Sequence, residues 1–133
     1  MALKLTLKAD ERIIAGGAVL RNTTGRSVQL SIENEVPVLR EKEILGESKA
    51  NTPCKRVYLT VQLMYIDEQN LPRYQKIYWD LAREVMQAAP STAAIFERIS
   101  AAIYTRRYYQ ALKEARRLVS YEEKVTHNAR TSG

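Results

Sequence analysis

The hydrophobic period of this chain changes once, near residue 50, and that change limits the fold more than any other feature of the sequence. Before it, Leu3, Leu5 and Leu7 alternate with Lys4, Thr6 and Lys8, the spacing of a strand with one buried face. Ala15-Gly16-Gly17-Ala18 marks a bend or bulge, because glycine tolerates the backbone angles such places need. A run from Ala18 to Leu20, the turn composition Asn22-Thr23-Thr24-Gly25, and a second alternation through Val28, Leu30 and Ile32 predict a hairpin over residues 18–32. Val36-Pro37-Val38-Leu39 fits one more strand, placed at an edge or a start by its proline.

After the polar connector Gly46–Ala50, the best candidate boundary, the pattern is helical. Thr52-Pro53 is a helix start, with the hydroxyl as N-cap and proline at the first helical position. The next stretch is ambiguous: Val57, Leu59, Val61, Leu63 and Tyr65 alternate like a strand, while Val57, Val61, Met64 and Tyr65 also form a helical stripe. The cap favours a nearly buried helix. Asn70 is suited to cap a second helix over about 71–88, with Tyr74, Ile77, Tyr78, Leu81 and Val85 inward. Pro90 ends it, and Ser91 is placed to cap a third stretch bearing Ile95, Ile99, Ala102 and Ile103 on one side. The strongest periodicity runs from Thr105 to Val125. The expectation is α+β: N-terminal antiparallel strands (1–45) followed by a C-terminal helical bundle (53–125), in one domain with a frayed, flexible tail at 126–133.

With 45% hydrophobic and 27% charged residues, the chain has ordinary globular composition. It lacks an apolar leader and any run of about 20 apolar residues, so no membrane association is expected and the location is expected to be cytoplasmic. One cysteine, Cys54, and one histidine, His127, exclude an internal disulfide and leave no ligand set for structural zinc. No phosphate loop, dinucleotide-binding glycines or nucleophile–base pairing is visible. No catalytic residue, metal or cofactor is therefore expected, and the chain is read as a non-enzyme. The paired carboxylates Glu33/Glu35 and Glu122/Glu123 are read as solvated charge. Cys54, beside Lys55 and Arg56 at a helix start, sits where a thiol pKa can be lowered, although a structural cysteine is the reading preferred.

The formal charge is +6, and its distribution is uneven. Residues 91–133 carry eight basic against four acidic side chains, whereas each earlier third is nearly balanced. On a helix from about 105 to 125, Arg106, Lys113, Arg117 and Lys124 project within roughly 20° of one line. Ala111, Leu112, Ala115, Leu118 and Val119 gather opposite. One face is thus expected to pack while the other presents a cation row ~27 Å long, flanked by Arg116 and Tyr109. Cations displacing counterions from phosphates, beside an aromatic plane for an unpaired base, suit RNA. Amphipathic helices also carry Lys and Arg outward with no partner at all, so the bland reading stays open. Tyr74/Tyr78 and Tyr104/Tyr108, at i,i+4, read as helix packing. Arg21 and Arg26 around the hairpin turn, and Arg40 and Lys42 in VLREKEIL, are secondary candidates for nucleic-acid contacts.

MALKLTLK (1–8), VLREKEIL (38–45), NTPCKRVYLTVQLMYID (51–67) and RRYYQALKEARRLVSYE (106–122), in this order and spacing, resemble the FlbT family of flagellar regulators. The resemblance implies a post-transcriptional regulator that associates with the 5′ untranslated leader of flagellin mRNA, usually repressing translation and promoting decay of the message. It implies FlaF as a companion protein in the same circuit, and carries no catalytic or base-reading motif. A second reading is a protein-interaction module that binds flagellin, FlaF or another assembly factor through an apolar strand edge or helix groove. The apolar run at 57–66 and an unpaired edge also suit a homo-oligomer.

Overall fold

A computed structural model describes residues 2–132, with side chains through Asn128. The chain is α+β, as the change of period predicts: among the described residues five strands precede four α-helices. It divides into two units, Met1–Ile44 and Leu45–Gly133.

The first unit holds two small antiparallel sheets. β1 (Leu3–Leu7) pairs with β4 (Val28–Ile32), with Leu5 opposite Leu30. β2 (Arg12–Ala15) lies between β3 (Ala18–Arg21) and β5 (Val38–Arg40). The hairpin therefore joins β2 to β3 rather than spanning 18–32. Gly16 and Gly17, at φ 58° and 87°, form the two-residue connection whose twist suits adjacent strands and which only residues tolerant of positive φ adopt readily. Glycines that signal a bulge in the sequence thus close a hairpin, and this frees β4 to pair with β1. Pro37 directly precedes β5, which is an edge strand, where a missing N–H donor is tolerated.

Leu7, Ile13, Ile14 and Leu39 are buried. Among them sits a polar pivot, Asn22, whose side-chain amide donates to the carbonyls of Leu7, Lys8 and Arg26 and whose oxygen accepts from the Thr24 N–H and hydroxyl. Every polar atom of this buried side chain is engaged, which removes the penalty of burying it.

In the second unit α1 (Pro53–Ile66) forms as the cap predicts: Thr52 Oγ1 accepts the Lys55 N–H, and Pro53 begins the helix. The strand-like alternation at 57–65 loses to a helix buried on several sides, with Val57, Val61 and Met64 inaccessible. Gln62, also buried, holds the incoming chain by a two-way contact with Leu45, accepting its N–H at 2.8 Å and donating to its carbonyl at 3.1 Å. α2 (Leu71–Ala88) buries Tyr78, Ala82 and Val85. Ile77, expected inward, is exposed, because the packed stripe is centred on Ala82. Asn70 caps nothing; its amide turns back to Asp67, which also accepts the Tyr74 hydroxyl at 2.6 Å.

A single 3-10 turn at 90–92 leads into α3 (Ala93–Tyr104). Ser91 does not cap α3 either, since its hydroxyl bonds that of Tyr121. α1 rests against both α2 and α4 (Tyr108–Ser132), and α3 against α4. Tyr78, fully buried, bonds Ser100 through its hydroxyl at 2.9 Å and has the Phe96 ring 6.3 Å away. The helix continues through the stretch expected to fray, and Gly133 lies outside the described residues.

Candidate nucleic-acid interface

The helix expected from residue 105 onward is broken at its start. α3 ends at Tyr104, and the Arg106 N–H bonds the Ile103 carbonyl while the Arg107 N–H reaches that of Ala102 at 2.8 Å. These are the paired bonds of a Schellman turn, which places one residue in the left-handed conformation. That residue is Arg106, at φ 61°, a position usually held by glycine. Arg106 is therefore not part of the row on α4 but stands on the corner before it.

From Tyr108 the helix is as amphipathic as its pattern. Ala111, Leu112, Ala115 and Leu118 are buried, and Lys113, Arg116, Arg117 and Lys124 are exposed. The helical row spans Lys113 to Lys124, ~16 Å at 1.5 Å per residue rather than ~27 Å.

Partners differ along this face. Lys113 Nζ lies 5.2 Å from the centroid of the Tyr109 ring, and that ring in turn lies 5.6 Å from Tyr65 at a tilt of 48°. Tyr109, expected as a stacking plane, is thus engaged on both counts. Glu114, on the same helix, is buried; its carboxylate receives Arg98 Nε at 3.1 Å and lies 3.8 Å from Arg117. The Arg117 contact is long, and its guanidinium is largely exposed above the buried carboxylate, so its outward N–H groups can also meet a phosphate.

The secondary candidates lie in the first unit. Arg40 donates to the Thr6 carbonyl at 2.5 Å and to both oxygens of Glu11 at 3.2 Å, which commits its guanidinium to the strands. Arg21 pairs with Asp10 at 3.0 Å with both side chains largely exposed. Arg26 and Lys42 are exposed, the latter on the 3-10 turn Glu41–Glu43.

Two groups considered for chemistry have other roles. Glu122 is half-buried at the N-terminus of α1, accepting the Thr52 hydroxyl at 2.5 Å and lying 3.4 Å from the Cys54 N–H. The positive end of that helix attracts a carboxylate, and here the chain supplies its own. Cys54 is buried behind it, and burial together with the Glu122 charge pushes its thiol up to about 12, opposite to the shift a reactive cysteine needs. Among the described residues no three His, Cys, Asp or Glu side chains converge as a metal site, and no helix is long and apolar enough to cross a membrane.

The corner before α4 holds what the sequence pattern did not reveal. Tyr104, expected to pack with Tyr108, is 89% exposed, whereas Tyr108 is buried. Their i,i+4 spacing would align them only on one continuous helix, and the turn at 105–107 separates them. Arg107, also exposed, donates from Nε to Thr105 Oγ1 at 3.3 Å. The doubled arginine was the available signal, but without a glycine nothing marked the turn.

The family described as Flagellar protein FlbT matches residues 3–126. A Bradyrhizobium diazoefficiens protein named "Probable flagellum biosynthesis repressor protein FlbT 1" is 48% identical over 126 residues, covering 94% of this chain and 85% of that protein. A Rhodopseudomonas palustris protein named "Probable flagellum biosynthesis repressor protein FlbT" is 41% identical, covering 94% of this chain and 98% of its own length. The Caulobacter vibrioides "Flagellum biosynthesis repressor protein FlbT" is 34% identical, with 92% and 88% covered. No solved structure matches the chain. A match over nearly the whole sequence, from β1 into the exposed cationic face of α4, makes this chain a member of the FlbT family of flagellar proteins.

Proposed function

We propose that this chain represses flagellin synthesis after transcription, by associating in the cytoplasm with the 5′ untranslated leader of flagellin mRNA, where it blocks translation and promotes decay of the message. The observation that carries the reading is the exposed cationic face of α4, Lys113, Arg116, Arg117 and Lys124, in a third of the chain whose basic residues are twice its acidic ones. Such a face follows an RNA backbone by counterion release, with no need for a catalytic group in the protein. In this reading the protein is a binder rather than an enzyme, and degradation of the message is left to cellular nucleases.

The test is binding of the purified protein to the flagellin leader and to a scrambled RNA, each across a salt series. Preference for the leader, with log affinity falling linearly in log salt, is expected. Lys113→Glu with Lys124→Glu is expected to reduce both affinity and salt slope while the melting transition stays native. Equal weak binding to both RNAs refutes leader recognition.

One observation favours a second reading, a module that binds FlaF, flagellin or another copy of itself. β3 is an edge strand exposed along its whole length, with Val19 67% and Leu20 44% accessible, and such an edge can accept an added strand. Salt separates the two, because an apolar protein interface responds weakly to it.

A further inference from the structure

We propose that the corner between α3 and α4 is a stacking site for an unpaired RNA base, with the Tyr104 ring as the platform and Arg106 and Arg107 as the phosphate contacts. This rests on the RNA reading above and names where on the protein the strand is held. Of the eight tyrosines, the other seven are buried, half-covered or, in Tyr109, engaged with a second ring; Tyr104 alone is 89% exposed. A ring so placed contributes almost nothing to the core while leaving its apolar face in water, the condition in which a base stacks on it with net gain.

The backbone beside it is the second observation. Arg106 occupies the left-handed position of the turn, where glycine is free of steric cost and any residue with a Cβ is not. Side chains held in such conformations concentrate at binding sites, because stability alone selects against them. The charge is the third. From Arg98 to Lys113 the chain carries Arg98, Arg106, Arg107 and Lys113 and no carboxylate. Arg98 is paired with Glu114, and Lys113, against the Tyr109 ring, belongs to the α4 face. Arg106 and Arg107 are exposed, two and three residues after Tyr104. Aromatic stacking with flanking cations is the recognition mode of single strands, since base-paired RNA withholds its base faces.

The experiment uses the full chain with three probes: a 12-nucleotide single-stranded RNA carrying one 2-aminopurine, the same RNA as a duplex, and the flagellin leader. Wild type is expected to prefer the single strand and to change the 2-aminopurine fluorescence on binding. Tyr104→Ala is expected to lose roughly 10-fold in affinity together with the fluorescence change, at an unaltered melting temperature. Tyr104→Phe keeps the stacking plane and is expected to bind like wild type. Arg106→Ala and Arg107→Ala are each expected to lower the slope of log affinity against log salt by about 0.7. Unchanged affinity and fluorescence in Tyr104→Ala overturn the corner site while leader binding by wild type still stands, and the exposed ring is then left to a protein partner. Preference for the duplex overturns the stacking mode. Failure of wild type to bind any of the three RNAs overturns the site and the RNA reading together.

Discussion

Replacing Thr52 by alanine removes two interactions with one hydroxyl, and the structure gives the size of each. As N-cap, Thr52 Oγ1 accepts the Lys55 N–H at 3.2 Å, a contact whose loss costs about 1 kcal/mol. The same hydroxyl donates to Glu122 Oε1 at 2.5 Å, seventy residues away on α4. A hydrogen bond to a charged partner is worth ~1.5–3 kcal/mol when buried, and the half-buried setting here reduces it to about 1. Thr52→Ala is therefore expected to cost about 2 kcal/mol, or ~10 °C in melting temperature for a unit of this size, followed by the helical circular dichroism signal. Glu122→Ala is expected to cost about 1.5 kcal/mol, because it also leaves the α1 terminus without its anion. Thr52→Ser, which keeps the hydroxyl, is expected to lose less than half of the Thr52→Ala amount. The decisive quantity is the double variant: if the hydroxyl and carboxylate act on each other, the two losses fall short of adding by about 1 kcal/mol. Strict additivity, or a Thr52→Ala cost below about 0.5 kcal/mol, refutes the bridge between α1 and α4.

Three further outcomes rest on local geometry. Arg106→Gly is expected to raise stability by about 0.5 kcal/mol in urea denaturation, the left-handed strain relieved (~1–2 kcal/mol) less the extra freedom of glycine in the unfolded chain; a loss of stability contradicts the strain. Cys54 is expected to stay unreactive toward a thiol reagent at pH 8 in the native protein and to react at once in denaturant, since burial keeps it protonated. Its folded pKa lies above the unfolded one, so its contribution is complete below the ordinary thiol range and is lost as the pH rises toward 12. Glu11 has the opposite sign. The Lys8 N–H, then Arg40, hold its carboxyl below the usual range, so its contribution is present above the unfolded pKa and is lost as the pH falls through the folded one. Glu11→Gln is expected to flatten the acid limb of stability for the first unit, measured by the pH dependence of its urea midpoint.

The elements whose signals are local were legible in the sequence. Thr52-Pro53 marked the start of α1, because cap hydroxyl and ring both act within one turn. Pro37 and Pro90 marked boundaries for the same reason. Strand partners were not legible, since alternation says which face of β4 is apolar but not which strand it meets. That choice lay in the two glycines at 16 and 17, whose φ values the sequence leaves open between a bulge and a turn. At the candidate site, the buried and cationic faces of α4 could be read from periodicity. The corner could not, because periodicity continues through it: Arg106 supplies the turn without the glycine that usually announces one. The role of Arg40 in the strands was equally hidden, since its partner Glu11 is far from it in sequence.

The seam between α1 and α4 also bears on how the protein is made. Until α4 leaves the ribosome, α1 lacks the helix it rests against, and its segment Val57–Tyr65 alternates apolar residues as a strand does. An exposed run of that kind can pair with the same run of a neighbouring nascent chain. A chain cut short before α4 thus leaves this run uncovered and is expected to aggregate and be proteolysed more readily than the full chain.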